Sequence, residues 1–180
     1  MHKQAAYRAG RQEALTQLGL LKTARRRKSY APGIPKRHTS ALPTVDTTPL
    51  TWTMAVQDHN ANRARRHFDL RLVDPDAGKA HSWAIPKARL PEPGEKLLAV
   101  QTWTHSPEYA LHFGEHKEER IPSGYGAGTV RMHRKEPVQI LEANSNLVRF
   151  SANNGQRKDD FLLRKTHGDK WLLINTTKTK

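Results

Sequence analysis

The chain has 180 residues, with 31 Lys and Arg against 17 Asp and Glu, a formal charge of +14, and no cysteine. The missing cysteines exclude a disulfide scaffold, a cysteine-ligated zinc finger and a cysteine nucleophile. The one leucine-rich stretch near the start, Ala14 to Leu21, falls far short of the ~20 apolar residues a membrane-spanning helix needs, so no membrane partner is expected and the positive excess points to nucleic acid.

Residues 1–50 carry ten Lys and Arg and two acids, which concentrates +8 of the charge in the first part of the chain. Tyr7, Ala14, Leu15, Leu18 and Leu21 recur at helical spacing and predict a short amphipathic helix within 3–21, suited to docking on a larger protein assembly. Arg25, Arg26, Arg27 and Lys28 follow as candidate nucleic-acid contacts. Pro32, Gly33, Pro35, Pro43 and Pro49 then lie among Ser and Thr, and 23–50 reads as a flexible basic linker too poor in apolar bulk to offset chain entropy. From Thr51 the pattern changes to short apolar runs separated by turn signals. They predict strands at 52–57, 66–73, 80–85, 97–103, 128–134, 137–142, 146–151, 160–165 and 170–175. Asp74-Pro75-Asp76-Ala77-Gly78 and His167-Gly168-Asp169 supply hairpin turn chemistry. The expected fold is mostly β, a compact antiparallel barrel with few short helices over 51–180, preceded by a basic tail over 1–50. Trp52, Phe68, Trp83, Phe150, Phe161 and Trp171 are its expected core aromatics.

The second predicted strand carries the chemistry. In Arg66-His67-Phe68-Asp69-Leu70-Arg71-Leu72 the pleat sends Phe68, Leu70 and Leu72 to one face and His67, Asp69 and Arg71 to the other. That second face offers two kinds of metal ligand and a bidentate phosphate binder. His59, eight residues before His67, adds a second imidazole. Two imidazoles and one carboxylate form a catalytic rather than a structural ligand set, suited to Mn, Zn, Co or Fe. On spacing alone, a solvated strand face with a local Asp–Arg pair is the competing reading.

These residues resemble the 3′-phosphoesterase domain of DNA ligase D. His59 and His67-Phe68-Asp69-Leu70-Arg71 echo its histidine followed by His-(aromatic)-Asp-x-Arg. Further blocks follow in family order: Ser82-Trp83-Ala84-Ile85-Pro86-Lys87, the His105 and Tyr109 pair, Ile121 to Val130, and Trp171-Leu172-Leu173-Ile174. The resemblance spans about Thr51 to Thr176. It implies a β barrel with a divalent metal, manganese first and zinc or cobalt as alternatives, that removes a 3′ phosphate or a terminal 3′ ribonucleotide from DNA. His59, His67 and Asp69 would then be metal ligands, Arg71 and His105 would contact the scissile phosphate, and Tyr109 and Lys87 would support the pocket. Arg63, Arg65 and Arg66, between the histidines, join the tail arginines as candidate DNA contacts. DNA 3′ ends, and a DNA ligase or polymerase that uses the healed end, are the implied partners. The expected location is the cytoplasm beside the nucleoid, or a virion. Because the family separates its two histidines by six residues and this chain by eight, a second function stays open: a barrel that has lost its chemistry and serves as a nucleic-acid-binding or structural module.

Overall fold

The computed structural model describes Leu42 and residues 50–178 other than Asn154. The helix expected at 3–21 and the run Arg25 to Lys28 lie outside the described residues. Leu42, placed by composition in the linker, is buried against the core.

The strands are β1 (Leu50–Ala61), β2 (Arg65–Asp74), β3 (Lys79–Ile85), β4 (Lys96–Gln101), β5 (Glu119–Ile121), β6 (Gly128–Asn144), β7 (Leu147–Asn153), β8 (Lys158–His167) and β9 (Lys170–Asn175). All pairings are antiparallel, in the order β1-β2-β3-β4-β9-β8-β7-β6, and β6 returns to pair with β1 along its whole length. The sheet therefore closes into an eight-stranded barrel, which leaves no open edge in the main wall. β5 adds to β6 as a short ninth strand.

Two expectations change. The runs 128–134 and 137–142 are one continuous strand, β6, and β5 was not foreseen. Proline usually interrupts pairing, but Pro137 lies opposite Thr53 of β1, where the other edge of β6 has no paired strand between Val130 and Val138.

Alternate residues fill the interior: Trp52, Met54 and Val56 of β1, Phe68, Leu70 and Leu72 of β2, Trp83 and Ile85 of β3, Phe150 of β7, Phe161 and Leu163 of β8, and Trp171 and Leu173 of β9. Inside, His81 stacks on Trp52 with ring centroids 5.8 Å apart, and neither of its nitrogens has a partner among the described residues. Burial pushes that imidazole below its ordinary value.

β2 is buried on both faces from His67 to Asp74, which overturns the reading of a solvated outer face. The cover includes a short helix, α1 (Pro107–His112). Ser106 caps it by accepting from the Tyr109 backbone N–H at 3.3 Å, and Pro107 occupies its first turn. Ala110 packs with Val73 and Ala80 on the outside of the wall. The wall of β1 and β2 thus lies between an apolar interior and a covered polar layer.

Leu70 has no exposed surface, so Leu70→Ala is expected to cost about 2–5 kcal/mol in urea unfolding. A loss below about 1 kcal/mol would show that this face of β2 is not packed into the core.

Candidate metal centre

The β1–β2 hairpin builds the site through its register. Ala61 pairs with Arg65 around the turn at 62–64, and the ladder continues as His59 opposite His67, Gln57 opposite Asp69, and Ala55 opposite Arg71. Directly opposed residues share a face with Cβ atoms about 5 Å apart, and the two imidazole centroids lie 4.7 Å apart. The eight-residue spacing therefore brings His59 and His67 together, since both are equally far from the middle of the turn. Arg65 adopts φ 63°, a left-handed conformation that costs an L-residue roughly 1–2 kcal/mol. Its carbonyl is the one that accepts from His67.

His59 Nδ1 is 3.1 Å from Asp69 Oδ2 and His67 Nε2 is 3.5 Å from Asp69 Oδ1. The opposite ring nitrogens face backbone carbonyls: His59 Nε2 lies 3.0 Å from Gly126 O, and His67 Nδ1 lies 2.9 Å from Arg65 O. A carbonyl and an ionised carboxylate both only accept, so each ring lies between two acceptors, and a neutral imidazole has a single N–H to give to one of them. With that N–H on the carbonyl side, the nitrogens facing Asp69 present lone pairs. Three electron-rich atoms converge within 4.8 Å of one another, all buried, and that arrangement demands a cation among them. Protons are one supply. Burial opposes a charged His67, but the Asp69 hydrogen bond and charge outweigh it and hold that imidazole above its ordinary value. Burial likewise raises Asp69, yet its hydrogen bonds to His59 and His67 and the charge of Arg71 hold it far below the usual carboxylate range. A divalent metal is the other supply. Two imidazoles whose remote N–H groups are fixed by carbonyls, together with a carboxylate, fit such an ion in donor type and in orientation. His59, His67 and Asp69 could hold it.

Arg71 backs this trio. Its Nε donates to Gln57 Oε1 at 2.6 Å, Nη1 to Ser82 Oγ at 2.9 Å and Nη2 to Asp69 Oδ2 at 3.2 Å. Gln57 is in turn anchored by its Nε2, which donates to Phe113 O at 2.8 Å. The sequence reading passed over Gln57, although it lies two residues before His59 and so shares its strand face. The Arg71 guanidinium sits 5.0 Å from the Tyr109 ring centroid, and Tyr109 stacks on His105 at 5.0 Å and on Phe113 at 4.9 Å. Thus α1 brings Tyr109, and the bridge of His105 to Ala80 brings His105, to the arginine side of the site. Burial and the nearby Arg71 charge push the His105 imidazole down to about 4. Burial raises the Tyr109 hydroxyl.

The remaining candidates lie further out. Lys87 is exposed in the turn after β3, and no contact joins it to the trio among the described residues. Arg63 and Arg65 are exposed around the β1–β2 turn. Arg66 is exposed and forks onto Asp58, with bonds of 2.9 and 2.7 Å. Arg25, Arg26, Arg27 and Lys28 are outside the described residues.

The barrel sets a metal-competent His–His–Asp trio beside a buried arginine, a combination that suits binding of a phosphate group. Comparison with known proteins makes the assignment specific: the sequence pattern of the DNA Ligase D 3′-phosphoesterase domain matches residues 57–169, and the chain belongs to that family. It is 44% identical over 77 residues to the "Multifunctional non-homologous end joining protein LigD" of Pseudomonas aeruginosa, a match covering 42% of this chain and 8% of that protein. This chain therefore spans a small fraction of that relative's length.

Adding a divalent transition metal to chelator-treated protein is expected to raise its Tm through preferential binding to the folded state. His67→Ala and Asp69→Ala should keep a cooperative transition and lose the rise; a rise that survives both substitutions would place the metal elsewhere.

The metal-free site also predicts acid sensitivity. His81 and His105 remain neutral in the fold at pH values where the unfolded chain, titrating near 6.5, takes up protons. The folded state then binds fewer protons, so their contribution to stability is lost as pH falls below 6.5. His67 acts in the opposite sense, contributing below 6.5 and losing that contribution as pH rises through its higher folded value. In chelator, the urea midpoint is expected to be lower at about pH 5 than at about pH 7, with a shallower slope for His105→Gln. An unchanged slope in that variant would mean His105 ionises as freely folded as unfolded.

Proposed function

We propose that this chain is a divalent-metal-dependent 3′-phosphoesterase that heals DNA 3′ ends, taking a 3′ phosphate or a terminal 3′ ribonucleotide to a 3′ hydroxyl, with manganese as its metal. The observation that carries this reading is the convergence of His59, His67 and Asp69 on one buried point with Arg71 beside them. It removes the spacing objection that favoured a barrel without chemistry.

Each residue's part follows from its surroundings. Bound at the trio, the metal would supply Lewis-acid polarisation of a phosphoryl group. Arg71 has five N–H donors, of which three hold Gln57, Ser82 and Asp69. One N–H on Nη1 and one on Nη2 have no acceptor among the described residues, and these are the donors a phosphate would take. Gln57 and Ser82 hold the guanidinium plane still, so binding requires little reorganisation. His105 is neutral at neutral pH and so does not repel Arg71. An incoming phosphate adds negative charge next to it and raises its proton affinity, which lets His105 carry a proton toward the leaving 3′ oxygen only when substrate is present. Tyr109 keeps the His105 ring in plane by stacking. The exposed Arg63 and Arg65 at the hairpin turn, with the basic residues of 1–50, would add sequence-independent affinity for the DNA backbone. A ligase or polymerase that consumes a 3′ hydroxyl is the partner this activity would serve, consistent with the end-joining name of the relative.

The direct test uses an end-labelled primer-template ending in a 3′ phosphate or one 3′ ribonucleotide, with manganese. Conversion to a 3′ hydroxyl is expected, with loss to background in EDTA, His67→Ala and Asp69→Ala. Arg71→Lys should stay impaired because an ammonium cannot reproduce the planar fork. Conversion that persists in EDTA and in His67→Ala would overturn this reading.

A further inference from the structure

The groups that would handle a phosphate recognise charge and little else. His59, His67, Asp69 and Arg71 are buried, and the Tyr109 ring is already engaged by His105, Phe113 and Arg71. None of them offers a free aromatic face to the base that a terminal nucleotide carries.

Such a face lies next to the trio in the chain. Among the described residues four large apolar side chains are exposed, Leu98, Trp103, Tyr125 and Leu141, and Tyr125 at 72% is the most exposed of them. It occupies the second position of a tight turn closed by Ala127 N–H donating to Gly124 O at 3.2 Å, a place where solvated polar residues are the rule. The turn is pinned on both sides. Gly126 O, one residue on, accepts from His59 Nε2 at 3.0 Å. Ala127 O accepts from the Asn62 backbone at 2.8 Å, and at Gly128 a Cβ would sit 2.2 Å from Asn60 O, so only glycine admits this approach of the turn to β1. Tyr125 therefore projects from backbone held against a metal-ligand candidate, about one Cα–Cα step of 3.8 Å from Gly126. An aromatic so exposed contributes nothing to the core, and its ring face is open to stack on a base brought to the neighbouring trio.

We propose that Tyr125 is the stacking platform for the terminal base of the nucleic acid whose 3′ end enters the site, an inference that rests on the substrate reading above. Stacking on a phenol ring is tolerant of base identity, so this contact selects ends that carry a base without selecting a sequence. It separates a nucleic-acid end from a free sugar phosphate, which the buried charged groups alone cannot do.

The test uses the full chain with a primer-template whose last nucleotide is 2-aminopurine, a base whose fluorescence falls on stacking, and whose 3′ end is the hydroxyl product that cannot turn over. Measurements are made with and without divalent metal. The native chain and Tyr125→Phe are expected to quench the terminal base. Tyr125→Ala should lose the quench and bind about tenfold more weakly, and that difference should vanish when the terminal nucleotide is abasic. Trp103→Ala, changing the 37%-exposed ring two residues before His105, should behave as the native chain. Undiminished quenching by Tyr125→Ala, or its loss in Trp103→Ala alone, overturns the assignment and leaves the phosphoesterase reading standing. A native chain that binds no such end overturns the assignment, while the phosphoesterase reading falls only if the 3′-phosphate end is also left unconverted.

Discussion

The candidate metal trio of this barrel depends on the register of one hairpin. β1 and β2 pair so that each position on one strand mirrors its partner about residue 63, from Ala61–Arg65 to Thr53–Val73. Because side chains alternate with a period of two, a slip of one residue would turn His67, Asp69 and Arg71 into the barrel and expel Phe68, Leu70 and Leu72. Core and site are therefore specified together. The hydrophobic gain from the inner face of β2 holds the polar face in position, and the polar face in turn makes any other register expensive.

That polar face is costly to bury. His59, His67, Asp69, Arg71 and Gln57 are each under a tenth exposed, and each would be destabilising alone. They are tolerable as a set because every one has a partner: Asp69 is shared by two imidazoles and a guanidinium, Arg71 is divided among three acceptors, and Gln57 reaches a backbone carbonyl. Asp69 is the hub. The outer carbonyls of Gly126 and Arg65 give the imidazoles an alternative place for their N–H groups, so the trio can be satisfied either by protons shared with Asp69 or by a metal ion.

Much of this was legible in the sequence. The alternation in Arg66 to Leu72 identified the strand and its two faces, and the pairing of His59 with His67, Asp69 and Arg71 followed from residue type. Turn chemistry separated the strands because Gly and Asx residues sit where the chain reverses. What escaped detection depends on contacts between distant segments. The cover over β2 comes from α1, some forty residues on in the chain, which no local pattern could reveal. The continuity of β6 through Pro137 depends on which edge is unpaired. Gln57 drew no notice because an amide has no ionisable signature, although its spacing from His59 carried the information. Leu42 gave no local sign of burial, being one leucine among prolines and threonines.

The carbonyl of Gly126 gives the centre a hidden dependence. It is the acceptor open to a proton on His59 Nε2, and it belongs to a peptide plane in a surface turn. Were that plane to rotate, the imidazole would be free to exchange tautomers and present Nδ1–H to Asp69, a good hydrogen bond and a ring unable to ligate through that atom. Two chemically distinct versions of the site, one built for a metal and one sealed by a hydrogen bond, thus differ by a single peptide rotation outside the barrel wall. The balance between them is shared between the backbone of a glycine and the carboxylate of Asp69, which compete for one imidazole proton.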